Sequence, residues 1–195
     1  DQDQAIDAII EALERDDVRL EGDNRPIANL AFLGPTGVGK SETAKELARS
    51  LGFGSGRLVK IDCSNYSNGH EVASLTGSPA GYVGHDDTPP ILRRDNVEEQ
   101  GTVVLFDEIE KAHASVFDVF LQIMDEGKLH DKLGKEGDFS NALIIFTSNI
   151  GSQYVSEQFN KGEQPSSINL LEKMGMHFRP EFLGRLTEIV PFAPM

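Results

Sequence analysis

The segment Gly34-Pro35-Thr36-Gly37-Val38-Gly39-Lys40-Ser41 has the G-x-x-x-x-G-K-[ST] spacing of a loop that wraps a polyphosphate. Glycines let the main chain curl close to the anion. The amide N–H groups then converge on it at the N-terminus of the following helix. In that arrangement residues 34–41 cradle the phosphates of ATP, and Lys40 neutralises charge on the β- and γ-phosphates. Ser41 supplies a hydroxyl ligand for Mg²⁺. A glycine-rich strand-to-helix turn with no ligand is the bland alternative. The apolar run Asn29 to Leu33 before the segment, and Ala44, Leu47, Ala48 and Leu51 after it, give the strand and helix that the phosphate-binding reading requires.

Two further strand ends carry polar residues. Val103-Val104-Leu105-Phe106 runs into Asp107-Glu108, and Leu143 to Phe146 runs into Thr147-Ser148-Asn149. Asp107 is placed to hold Mg²⁺ with Ser41, and Glu108 to orient and activate an attacking water. Acids serving a helix dipole are the alternative. Asn149 could cap the helix that follows or reach the γ-phosphate and the water. Ligands of open α/β sheets bind beyond the carboxyl ends of the strands. A parallel sheet would therefore bring all three strand ends to one rim.

The remaining chain sets the frame. Its 195 residues suffice for one domain or two small ones. A net charge of −14, with no basic run, argues against nucleic acid, which is held by clustered Lys and Arg. No apolar run reaches membrane-spanning length, so no membrane partner is expected. Cys63 is the only cysteine. It excludes an intramolecular disulfide and fits a cytoplasmic location. The five histidines show no metal-ligand spacing and read as surface or capping residues. The chain does not begin with Met, and it is expected to be a piece of a longer protein.

Ile6, Ile9, Ile10 and Leu13 predict a first amphipathic helix. Further strands are expected over residues 58–62, 102–106, 142–147 and 187–192. Short helices are expected over 69–76 and 88–99. Ser115 is expected to cap a helix that buries Phe117, Phe120, Leu121 and Met124. Residues 127–140 read as a polar loop, and residues 152–159 and 168–174 as helices. Strands alternating with helices predict an α/β fold with a mostly parallel sheet covered on both faces.

The pieces GPTGVGKSETAKELA, SLTGSPAGYVG, VVLFDEIEKAH, FDVFLQIMDEGKL, ALIIFTSNIGS and HFRPEFLGRLTEIVPF together resemble the AAA+ ATPases. They are most similar to the second ATPase module of Clp-type unfoldases and disaggregases, the ClpB/ClpA group, and cover nearly the whole chain. The resemblance implies a three-layer P-loop NTPase fold with a five-stranded, mainly parallel sheet in the order 5-1-4-3-2. Residues 1–195 would form the large nucleotide-binding subdomain, with the small helical lid absent from this chain. It also implies a homo-hexameric ring that hydrolyses ATP and threads unfolded or aggregated polypeptide through its centre.

In that family the aromatic residue of the GYVG loop grips the threaded chain, a role that falls here on Tyr82 with Val83. A tyrosine folded back onto the domain is the alternative. Leu129 to Gly134 corresponds to a second pore loop. Arg185 matches the arginine finger that reaches the neighbouring subunit's γ-phosphate, with Arg179 a weaker candidate. A surface salt bridge to Glu181 or Glu188 is the alternative for Arg185. The chain departs from the pattern at Gly184, where the family has Asn, at Cys63-Ser64-Asn65, and at TPPILRR after the GYVG loop. A peptidase-docking tripeptide is absent from residues 152–177, which favours remodelling over service to a protease. The rivals are an ATP-gated remodelling or scaffold module for one specific partner, secretion-linked or regulatory, and a nucleic-acid motor, which the charge opposes.

Overall fold

A computed structural model describes residues 3–16, 24–51, 58–68, 102–130 and 136–194. Strands β1 (Ala28–Leu33), β2 (Leu58–Asp62), β3 (Val103–Asp107), β6 (Leu143–Ser148) and β7 (Glu188–Pro191) form one sheet in the spatial order β2-β3-β6-β1-β7. Every neighbouring pair in it is parallel. Numbered along the chain as five core strands, this is the expected 5-1-4-3-2 order. The expected helices over 69–76 and 88–99, and the GYVG loop with Tyr82 and Val83, lie outside the described residues.

Side-chain alternation along the strands divides the interior into two apolar layers. Ala28, Leu30 and Phe32 of β1, with Val103 and Leu105 of β3 and Leu143 and Ile145 of β6, face α1 (Asp3–Asp16) and α2 (Lys40–Leu51). Ala31 and Leu33, with Val104, Phe106, Ile144 and Phe146, face the opposite layer. That layer is built from α3 (Ala114–Glu126), α4 (Ser152–Asn160), α5 (Ser167–Gly175) and α6 (Pro180–Leu183). Both sides of β1, β3 and β6 are buried, so these strands read as continuous apolar runs.

The two layers differ in filling. On the first, Ala44 and Ala48 of α2 are buried, and small side chains let the helix approach closely. On the second, Phe106, Phe117, Phe120, Phe146, Phe178 and Phe182 interlock with ring centroids 4.6–6.0 Å apart, mostly tilted or edge-on. Aromatic quadrupoles favour that geometry.

Two local expectations are corrected. Residues 127–140 are not simply a loop: β4 (Lys128–His130) and β5 (Glu136–Asp138) pair antiparallel. Buried Leu129 and Phe139 pin this hairpin to the aromatic layer, but three-residue strands are too short to show a period-two pattern. The helix α3 is capped by His113 rather than Ser115. The His113 ring nitrogen accepts the Ser115 N–H at 3.1 Å, and Gly127 ends the helix in a left-handed conformation.

Candidate functional site

Because β3, β6 and β1 are adjacent, their carboxyl ends open on one crevice of about 430 Å³. It is lined by Thr36, Gly37, Gly39, Lys40, Ser41, Glu42, Asp107, Glu108, Thr147 and Asn149. The geometry follows from the loop glycines. Gly37 and Gly39 have positive φ, at 82° and 96°, which L side chains rarely adopt. At Gly34 a Cβ would lie 2.8 Å from the Phe192 carbonyl oxygen, so only glycine lets the loop pass the end of β7.

Lys40, 8% exposed, donates its three N–H groups to the Gly34 carbonyl at 2.6 Å, the Ser148 carbonyl at 3.2 Å and Asn149 Oδ1 at 2.8 Å. All three acceptors are neutral. Burial pushes the Lys40 ammonium below its ordinary value, opposed by the charges of Glu110, Asp107 and Glu108. A desolvated cation with only neutral contacts is suited to receive an anion.

The acids are fixed by a residue that sequence reasoning did not single out. Thr147 Oγ1 donates to Asp107 Oδ1 and accepts the Glu108 N–H at 2.9 Å. It thereby ties the end of β3 to the end of β6. Its signal in the sequence is its place as the first polar residue after Leu143–Phe146, two positions before Asn149. Asp107 Oδ2 also accepts from Ser41 Oγ at 3.4 Å and lies 3.8 Å from Lys60 Nζ. Glu108 has φ 56° and ψ 55°, the single non-glycine with positive φ among the described residues. That conformation costs about 1–3 kcal/mol and tends to occur at functional sites. It turns the chain sharply off the strand, and the Glu108 carboxylate meets Lys111 Nζ at 2.9 Å. Glu110, also overlooked, accepts the Asn149 main-chain N–H at 3.2 Å.

Asn149 is therefore in the crevice on Lys40 rather than only at a helix end; Gly151 occupies the N-cap position of α4. Arg185 is not in the crevice. Its guanidinium pairs with Asp125 and donates to the Glu181 carbonyl at 2.5 Å. The ion pair considered from sequence, to Glu181 or Glu188, is thus replaced by one to Asp125, at the end of α3. Arg179 instead bonds Asp118 at 3.1 Å and the Ala114 carbonyl at 2.8 Å.

The chain is similar to known proteins along nearly its whole length. The model of the AAA domain (Cdc48 subfamily) matches residues 25–189. The chain belongs to the AAA domain family. Among individual relatives, "Chaperone protein ClpB 1" of Thermosynechococcus vestitus is 48% identical over 98% of the chain and 22% of its own length. "Chaperone protein ClpB" of Meiothermus ruber is 47% identical over the whole chain and 23% of its own length. The Helicobacter hepaticus protein of that name is 44% identical over the whole chain and 22% of its own length. The chain thus spans somewhat over a fifth of these chaperones. As an AAA domain of Clp type it carries the expected α/β P-loop fold.

A second groove of about 880 Å³ borders the AAA domain's phosphate loop between α1 and α2. Its lining includes Ile6, Ile9, Ile10, Val38, Leu47 and Pro194, and it shares Gly39 and Glu42 with the crevice. Val38, within the candidate phosphate loop, is 4% exposed and its side chain belongs to the apolar layer.

Proposed function

We propose that this AAA domain is the ATP-hydrolysing module of a longer, hexameric Clp-type machine that threads unfolded or aggregated polypeptide, in a cytoplasmic setting. The observation that carries the catalytic part is the convergence of Lys40, Ser41, Asp107, Glu108 and Asn149 on one crevice beneath the phosphate loop. The remodelling part is supported by the ClpB relatives and by the Tyr82-Val83 loop in the sequence. The apolar groove beside Gly39 offers a surface for a purine base, and the crevice offers one for its phosphates.

The donors present fit Mg²⁺. Ser41 Oγ and Asp107 Oδ2 are hard oxygens 3.4 Å apart. Mg²⁺ typically takes one or two protein ligands plus substrate phosphates and water. Bound there, Mg²⁺ would neutralise charge on the phosphates. Lys40 exchanges neutral carbonyls for phosphate oxygens, and residues 34–39 supply main-chain N–H donors. Thr147 holds Asp107 and Glu108 in register. Glu108 takes a proton from the attacking water, and Asn149, steadied by Glu110, positions that water. Hydrolysis is completed by Arg185 of one subunit acting on the γ-phosphate of the next.

The test is Glu108→Gln in the full-length assembly. ATP binding measured by calorimetry should persist while turnover falls by about 10²–10⁴, the usual contribution of a positioned general base. Turnover near the parent rate would remove Glu108 from the mechanism. Tyr82→Ala should leave ATPase activity in place and abolish unfolding of a tagged substrate; unchanged unfolding would end the pore assignment.

A further inference from the structure

Asn29 stands second in β1, between Ala28 and Leu30, in a strand otherwise wholly apolar. It is 6% exposed. Asparagine is depleted in strands, and this one is only partly satisfied, because Oδ1 has no hydrogen-bond partner. A buried, half-paired amide lowers stability. What its other end does is specific: Nδ2 donates to the Arg185 carbonyl oxygen at 3.3 Å.

The main chain of Asn29 grips the same turn. Its N–H donates to Thr187 Oγ1 at 2.9 Å, and its carbonyl accepts the Thr187 N–H at 2.8 Å. Residues 185 and 187 are thus fastened to one strand residue on either side of Leu186. The turn's own main-chain hydrogen bonds, from the Arg185 N–H to the Phe182 carbonyl at 3.2 Å and from the Leu186 N–H to the Leu183 carbonyl at 3.3 Å, reach back only to the preceding short helix. That helix, Pro180–Leu183, has four residues, and Gly184 carries no side chain. The Arg185 side chain is held only at its exposed end, by Asp125 and the Glu181 carbonyl.

We infer that Asn29 is a positioning residue for Arg185: its side-chain amide, anchored in the rigid central sheet, fixes the main chain from which the guanidinium projects toward a neighbouring subunit. The inference rests on the reading of Arg185 as acting in trans. It also ties the two ends of β1 to one reaction. The amino end of the strand aims the arginine, and the carboxyl end carries the phosphate loop.

The test compares Asn29→Leu, Arg185→Ala and the double variant in the full-length assembly, with kcat and KM for ATP and the melting temperature of each. Leucine keeps the branched outline of asparagine with somewhat greater bulk and removes the unpaired Oδ1, so the fold should be about as stable. Asn29→Leu is expected to lower kcat at least tenfold with KM unchanged and Tm maintained. The double variant should be no slower than Arg185→Ala alone, because the two residues act as one unit. Asn29→Ser, which is too short to reach the Arg185 carbonyl, should repeat the kcat loss if the leucine variant assembles poorly. A normal kcat in Asn29→Ser or Asn29→Leu beside a slow Arg185→Ala overturns the positioning role, as does an additive loss in the double variant. A normal kcat in Arg185→Ala would instead overturn the reading of Arg185 itself.

Discussion

The phosphate crevice and the Arg185 turn stand at opposite ends of β1 and are built on different principles. A strand rise of about 3.3 Å per residue separates Asn29, which holds the turn, from Leu33, which leads into the crevice, by about 13 Å. In the crevice each candidate side chain leaves from the last residue of a buried strand, the residue just after it, or the first two residues of a helix. Thr147 welds two of those ends together, and Lys40 already has all three donors placed. The arginine departs from an irregular turn after a single helical turn, and its side chain is 35% exposed. On the proposed reading, one chain assembles its phosphate site by itself but only presents the arginine, whose target would be the γ-phosphate of a neighbouring subunit.

The largest separation between the two regions should appear with Arg185→Ala in the full-length assembly. It should cut kcat by roughly 10³–10⁵, the range for arginine fingers, and leave ATP affinity intact. Equal loss of affinity, measured by calorimetry on the same preparation, would mean that the arginine belongs to its own subunit's site. Lys40→Met should do the reverse in kind. Losing charge-assisted contacts worth about 1.5–3 kcal/mol each should weaken MgATP binding ten- to several-hundredfold, while thermal unfolding is unchanged or slightly higher. A drop in Tm would show that the Lys40 contacts are mainly structural.

Proton linkage sharpens the same contrast. Burial holds Lys40 below its ordinary value in the free protein, and an adjacent triphosphate raises it again. Between those two values the complex binds more protons than the free protein. Calorimetry in buffers of different ionisation enthalpy should therefore show proton uptake at alkaline pH, absent in Lys40→Met. By the same sign, the free domain's stability should rise with pH across the interval from the folded value to the ordinary lysine value. The smallest effect is expected from Asp125→Ala, which releases the exposed Arg185. Such pairs contribute about 0–1 kcal/mol, so chemical denaturation should barely move and kcat should change only severalfold.

Much of the crevice was legible because its residues sit in short contiguous motifs. Gly34 to Ser41, between an apolar strand and a helix, reads as a candidate phosphate loop, and an apolar run ending in Asp107-Glu108 marks a buried strand emerging at a rim. Thr147 and Glu110 were not legible, since each matters through a partner forty residues away, Asp107 and Asn149 respectively. The hairpin of Lys128–His130 with Glu136–Asp138 was missed because its strands are too short to carry a pattern. Nor could Asp125 be chosen over Glu181 and Glu188 as the partner of Arg185: local spacing favoured the nearer acids, but packing of α6 against α3 placed the distant one alongside.

The sequence alone determined the repeating order of strand and helix, the five core strands and the polar residues at their ends, because these depend on local periodicity and on contiguous residues. The place of β6 between β1 and β3 was implied by the family resemblance, but only the tertiary structure decided that Asn149 meets Lys40 and Thr147 meets Asp107. It also decided that a buried asparagine grips the turn bearing Arg185. Those pairings join residues 40 to 156 positions apart. No local propensity specifies them; they follow from strand order and from the need of buried polar groups to find partners.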